Sequence, residues 1–315
     1  MVHQGRPRWY KPDVGLSMRM LLTMFILGAV YIVFGAVLFR YGYGLLFVPL
    51  ALIIGVAQFF FADKIALASM GAREVDESEA PELHEMIGRL AMQADLPKPK
   101  IALVNSSIPN AFATGRDKNH AVVAVTTGIY NKLNPQELEA VLAHELTHII
   151  NRDMLVMTIA TFFSMIASLI VQNIFWISIF GGGYGGGYGG RRRNDENGAF
   201  AITVLASVIV YAISFFLIRT LSRYRELAAD RGSALITGQP QNLASALLRI
   251  SETITSGGIP QQDFRRAQGV NALFIVPALR GDSLASLFST HPSTEERVER
   301  LMAMQRQMES AGYIS

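Results

Sequence analysis

Three residues in the stretch VLAHELTHIINRD have the types and spacing for chemistry. His144, Glu145 and His148 form H-E-x-x-H. On a helix, residues i and i+4 share a face at about 5–6 Å, so the two imidazoles can point at one ion. Glu145 lies roughly 100° round from His144, within reach of a water on that ion. Catalytic zinc sites use three protein ligands and keep one position for water. A neighbouring carboxylate accepts the water's proton as it attacks a carbonyl. The pattern thus offers two ligands and a base for zinc-dependent hydrolysis. The competing interpretation is an amphipathic helix with two ordinary histidines. The small, apolar flanks Ala140, Val141, Ala143 and Ile149 favour a helix buried beneath a cleft.

A third ligand is required, and the apolar blocks of the chain point to it. His148 precedes the apolar run from Met154 by six residues, and Glu226 follows Arg219, at the end of another, by seven. At about 1.5 Å per residue both stand roughly 10 Å beyond the apolar boundary. An antiparallel pair of spans brings them to one height. Asp230 is one turn beyond Glu226 and can accept the free ring N–H of a histidine ligand. The plainer alternative is an acidic pair on a solvated helix.

Those runs are part of a wider pattern. Half of the 315 residues are hydrophobic. Four blocks reach the length of about 20 residues that a bilayer requires: Ser17–Phe39, Gly44–Ala62, Met154–Phe180 and Ala199–Ile218. The first is too long, and too soon followed by the second, for a signal peptide. Arg6, Arg8, Lys11 and Arg19 put the N-terminus in the cytoplasm, and with four spans the segments 63–153 and 219–315 face it too. Arg191, Arg192 and Arg193, in the loop 181–198, oppose this orientation.

The net charge of +3 names no partner, and nothing in the sequence indicates nucleic acid. The chain has no cysteine, which excludes disulfides, zinc–thiolate and iron–sulfur sites and leaves His, Asp and Glu to hold a metal. The expected organisation is a cytoplasmic segment 1–16, two spans over 17–62, a polar part 63–153 bearing H-E-x-x-H, two spans over 154–218, and a polar part 219–315 with the third ligand. GGGYGGGYGGRRRNDENG, residues 181–198, reads as a flexible linker. Pro81–Ala94 reads as an amphipathic helix, KPKIALVNS and HAVVAVTTGIY as strands, and SIPNAFATGRDKN between them as a turn region. The histidine helix follows, with Asn134 as N-cap and Pro135 at its first position.

These residues resemble the HtpX-type membrane metalloproteases, whose relatives include the CAAX prenyl proteases. The resemblance is carried by PNAFATGR (109–116), ELEAVLAHELTHIINRDM (137–154), SRYRELAADR (222–231) and THPSTEERVERL (290–301). It implies a mainly α membrane protein, with four transmembrane helices and a cytoplasmic zincin-like protease domain containing a small β-element. It implies one Zn(2+) per chain held by His144, His148 and Glu226, with Glu145 as base and Asp230 behind the ligands. By the same matching His291 and Arg297, in H-P-x-x-x-x-R, stabilise the oxyanion. Asn110, Ala111, Phe112, Ala113 and Thr114 line the cleft and pair with an extended substrate. The family suggests a quality-control and stress-response role in the prokaryotic cytoplasmic membrane, against misfolded or damaged membrane proteins. Two other readings stand beside it: a narrow CAAX-type processing protease, and a membrane scaffold or transporter with a structural metal, in which Gln172 and Asn173 line a pathway.

Overall fold

The computed structural model describes residues 14–42, 44–158, 160, 167–170, 172, 192–256, 274–276 and 291–312. Most of the expected third span (154–180), most of the glycine-rich linker, the basic residues of segment 1–13 and most of the 257–290 region fall outside these residues. The chain divides into two compact units. The first comprises Met1–Ser17, Phe60–Leu155 and Ser222–Ser315; the second comprises Met18–Phe59 and Val156–Leu221.

The second unit contains α1 (Val14–Arg40) over most of its length, and the first part of α2 (Gly44–Met70). Its core is Leu27, Tyr31, Phe34 and Leu38 against Ala160, Ala167, Ile170, Val210 and Leu221. The Tyr31 hydroxyl donates to the Ala160 carbonyl at 2.5 Å. Large apolar side chains also face outward: Phe25 is 73% exposed, Ile32 76% and Leu45 82%. Such an apolar exterior is costly in water and suits lipid. Among the described residues, two helices, Val14–Arg40 and Ala201–Thr237, are long and apolar enough to cross a membrane. The helix that holds the expected second span (Gly44–Ala62) bends by 60° at the end of that span, between Val48–Phe61 and Asp63–Met70, and contains Pro49.

The first unit is built on a four-stranded sheet. Its strands are β1 (Ala72–Glu74), β2 (Lys100–Val104), β3 (Ala111–Thr114) and β4 (Val122–Thr126), in the order β1-β2-β4-β3. β2 runs parallel to β4; β1 and β3 are antiparallel to their neighbours. Every residue of β4 is buried, as its β-branched run requires of a central strand. Two expectations need correction here. The expected turn region SIPNAFATGRDKN contains the edge strand β3. The strand expected over HAVVAVTTGIY stops at Thr126, whose hydroxyl accepts from the Ile129 amide at 3.2 Å and caps the short helix α4 (Thr127–Lys132).

α3 (Pro81–Gln93) packs Leu83, Ile87 and Leu90 into the same core as the sheet. α5 (Pro135–Ile150) is the histidine helix. Asn134 caps it as expected, and Glu137 completes a capping box by reaching back to the Asn134 amide. Glu137 is buried because Ser245 donates to it at 2.6 Å and Arg249 lies 3.0 Å away, both on α7 (Pro240–Thr255). α6 (Arg192–Thr237) carries Glu226 and Asp230 near its C-terminal end, and α8 (Thr294–Ser310) closes the described chain. Because α6 begins at Arg192, the last seven residues of the expected linker are helical.

Candidate active site

Every residue of the site belongs to the first unit. α5 presents His144, Glu145 and His148 from a helix that is buried for most of its length. α6 approaches it closely. The Ser233 hydroxyl donates to the Ala140 carbonyl at 2.6 Å, and a Cβ built on Gly232 would stand 2.2 Å from Thr147 Cγ2. Only a glycine admits that approach. Gly232→Ala is therefore expected to push the helices apart, at a cost of roughly 1–3 kcal/mol, and to loosen the metal site one turn away. A lower melting temperature in detergent, together with a lower zinc content after dialysis, checks this.

The close packing brings Glu226 to the histidines. The Nε2 atoms of His144 and His148 are 3.2 Å apart. Glu226 Oε2 is 3.5 Å from His144 Nε2, and its Oε1 is 3.5 Å from His148 Nε2. A tetrahedral zinc with bonds of about 2.0–2.1 Å separates its donors by roughly 3.3 Å. The three donors, which lie within 4.8 Å of one another, therefore fit such an ion. Each histidine is also fixed from behind. His144 Nδ1 lies 3.0 Å from Asp230 Oδ1, and His148 Nδ1 lies 2.5 Å from Asp153 Oδ2. With both Nδ1 atoms facing carboxylates, the Nε2 atoms are the ones left to face a metal. In the metal-free chain, burial pushes the His144 pKa down, but Asp230 and Glu226 outweigh it and raise it to about 9. A metal must displace that proton at neutral pH, so it binds more weakly as the pH falls.

Glu145 is buried beside the donors, and its Oε2 accepts from the Ala113 amide at 2.9 Å. Burial pushes its carboxyl above the usual range, which makes it a better proton acceptor near neutral pH. His291 Nδ1 lies 3.3 Å from Glu226 Oε2. The cleft over these groups is lined by Phe112, Ala113, Thr114 and His291, among others.

Two expected roles change. Arg297 does not line the cleft. It is 1% exposed and grips Asp230 through Nε (2.9 Å) and Nη2 (2.6 Å), while its Nη1 donates to the Ile275 carbonyl at 2.6 Å. Its Nη1 also lies 3.6 Å from Glu226 Oε2, so the guanidinium stands behind the ligands, against Asp230 and Glu226. Asn110 and Ala111 are likewise buried behind the cleft. Asn110 exchanges hydrogen bonds with Thr126, and its side chain accepts from the Ile275 amide at 3.0 Å.

Asp153 is the partner that sequence reasoning missed. α5 does not continue toward the apolar run: it stops at Ile150, and Arg152 takes φ +55. That turn returns Asp153 to His148, where Arg225 Nε joins it at 3.1 Å. The only local signal was the polar NRD at the helix end.

Comparison with known proteins agrees with this geometry. The model of peptidase family M48 matches residues 77–305, the span that holds all of these groups. The chain belongs to peptidase family M48. Two relatives are the Protease HtpX homolog of Moorella thermoacetica, 53% identical over 94% of this chain and 97% of the relative, and the Protease HtpX homolog 2 of Methanosarcina mazei, 52% identical over 96% and 99%. The fold is similar to a crystal structure of S. mikatae Ste24p, with a TM-score of 0.51 and 20% identity, covering 92% of this chain and 66% of that one. The protein is accordingly a metalloprotease with apolar helices suited to a membrane, and zinc is the cofactor of M48 enzymes.

Proposed function

We propose that the chain is a zinc endopeptidase of the cytoplasmic membrane that cuts misfolded or damaged membrane proteins on the cytoplasmic side. The observation that carries it is the convergence of His144, His148 and Glu226 beside Glu145 in one cleft. His144, His148 and Glu226 would hold the zinc, which when bound would supply a Lewis acid for the scissile carbonyl. Glu145 accepts the proton of the attacking water and passes it to the leaving amine. Ala113 holds that carboxylate in place through its amide. His291 donates to the oxygen on which charge develops. Asp153 and Asp230 orient the two histidines, and Arg297 positions Asp230. β3 is an edge strand, so the segment Phe112–Thr114 can pair with an extended substrate backbone through groups other than the Ala113 amide, a mode tolerant of sequence.

The substrate class is tested in cells that carry Glu145→Gln as the sole copy. Misfolded membrane proteins should persist in them and turn over in the parent; equal turnover would remove the quality-control reading. The orientation has its own test, made simple by the lack of cysteine. A cysteine placed at Lys118, in the turn between β3 and β4, should react with an impermeant maleimide in inverted vesicles and not in intact cells.

A further inference from the structure

The cleft holds one arginine that has no ion pair among the described residues. Arg116, Arg152 and Arg225 line it together with the metal donors and Glu145. Arg225 is committed to Asp153. Arg116 lies 3.7 Å from Asp117, with its guanidinium 5.8 Å from the centre of the Phe60 ring. Arg152 is exposed, and it has no ion pair among the described residues. Its backbone is equally unusual. A left-handed residue after a helix is ordinarily glycine or asparagine, and another residue there costs on the order of 1 kcal/mol. The turn accounts for the backbone, since it brings Asp153 back to His148. It does not account for the arginine, because a glycine would turn the chain at lower cost.

We propose that Arg152 is a specificity residue, which binds a carboxylate of the substrate close to the scissile bond. The inference rests on the peptidase reading of the same cleft. Of the other arginines that line the cleft, Arg116 and Arg225 each face an aspartate, so an acidic substrate group would meet Arg152 as its natural partner. The carboxylate can come from an acidic side chain or from the C-terminus of the substrate. Both have the same chemistry, and the assay separates them.

The full chain with zinc, in detergent at low salt, is given quenched-fluorescence peptides in which Glu or Gln is moved through the positions around the cut. Each peptide is made as the free acid and as the C-terminal amide. Binding of the same peptides to Glu145→Gln is followed by fluorescence anisotropy. The parent should prefer Glu over Gln, or acid over amide, by about threefold to fivefold in kcat/KM, the scale of an exposed ion pair. The ratio should shrink at high salt. Arg152→Gln and Arg152→Gly should bring it to about one, and Arg152→Glu should invert it in favour of Lys. No preference in cleavage or binding overturns the proposal, and so does a preference that survives in Arg152→Gln. It is overturned too if selectivity is unchanged in that variant while stimulation by phosphatidylglycerol nanodiscs is lost, since Arg152 would then contact lipid headgroups. If no peptide is cut but Glu145→Gln still prefers Glu peptides through Arg152, the peptidase reading fails and the carboxylate site stands.

Discussion

Glu145→Gln should lower peptide hydrolysis by about a thousandfold while the metal stays bound. The size follows from the loss of a positioned general base, worth roughly 10²–10⁴ in rate. The retention of metal follows from the geometry, because the three donors are other residues and the substitution keeps the shape of the side chain. Glutamine can still accept from the Ala113 amide, which now reaches the carboxylate at 2.9 Å. What it cannot do is take a proton from water. Turnover of an unfolded protein, measured beside zinc content, checks both halves. Hydrolysis above about a tenth of the parent's would show that the base is elsewhere.

Arg297→Met should destabilise the first unit by about 3–5 kcal/mol, the cost of breaking a buried ion pair from one side. Asp230 would keep its charge with its bidentate partner gone, and Ile275 would lose the donor to its carbonyl. Because Asp230 also faces His144 Nδ1, the metal should bind more weakly. Lysine should rescue only in part, since it restores the charge and not the planar fork. Pairing Arg297→Met with Asp230→Asn should recover much of the stability by removing both charges, but not the orientation of His144. Thermal unfolding in detergent and zinc retention separate the two effects. An Arg297→Met protein that melts with the parent would show that the buried pair contributes nothing to the fold.

The parts of this site that were legible in the sequence are those governed by helical spacing. H-E-x-x-H needs only the period of one helix. Glu226 and Asp230 followed from matching distances along two apolar blocks, and one turn apart they could serve a single histidine. Asp153 was not legible in this way, because it depends on one left-handed residue, Arg152, that ends α5 and folds the chain back. Arg297 was legible as a motif residue but not in its role, which is set by packing against Asp230 and Ile275. β3 was hidden because Ala111–Thr114 has weak strand propensity and is held as a strand by pairing with β4. The end of β4 was hidden because Thr126 and Thr127 suit a strand as well as a helix start, and the Thr126 side chain decides between them.

In the proposed mechanism His144, His148 and Glu226 hold the metal on which hydrolysis depends, with Glu145 as its base. The most direct test strips the parent, Glu145→Gln and Glu226→Ala with chelator in detergent, adds zinc back, and reads bound zinc and cleavage of an unfolded protein in the same samples. The parent should bind a single zinc and cut only with it. Glu145→Gln should bind zinc and cut about a thousandfold more slowly, and Glu226→Ala should neither bind nor cut at the same zinc concentration. Cleavage that survives chelation, or a Glu226→Ala chain that binds and cuts as the parent does, would contradict the account.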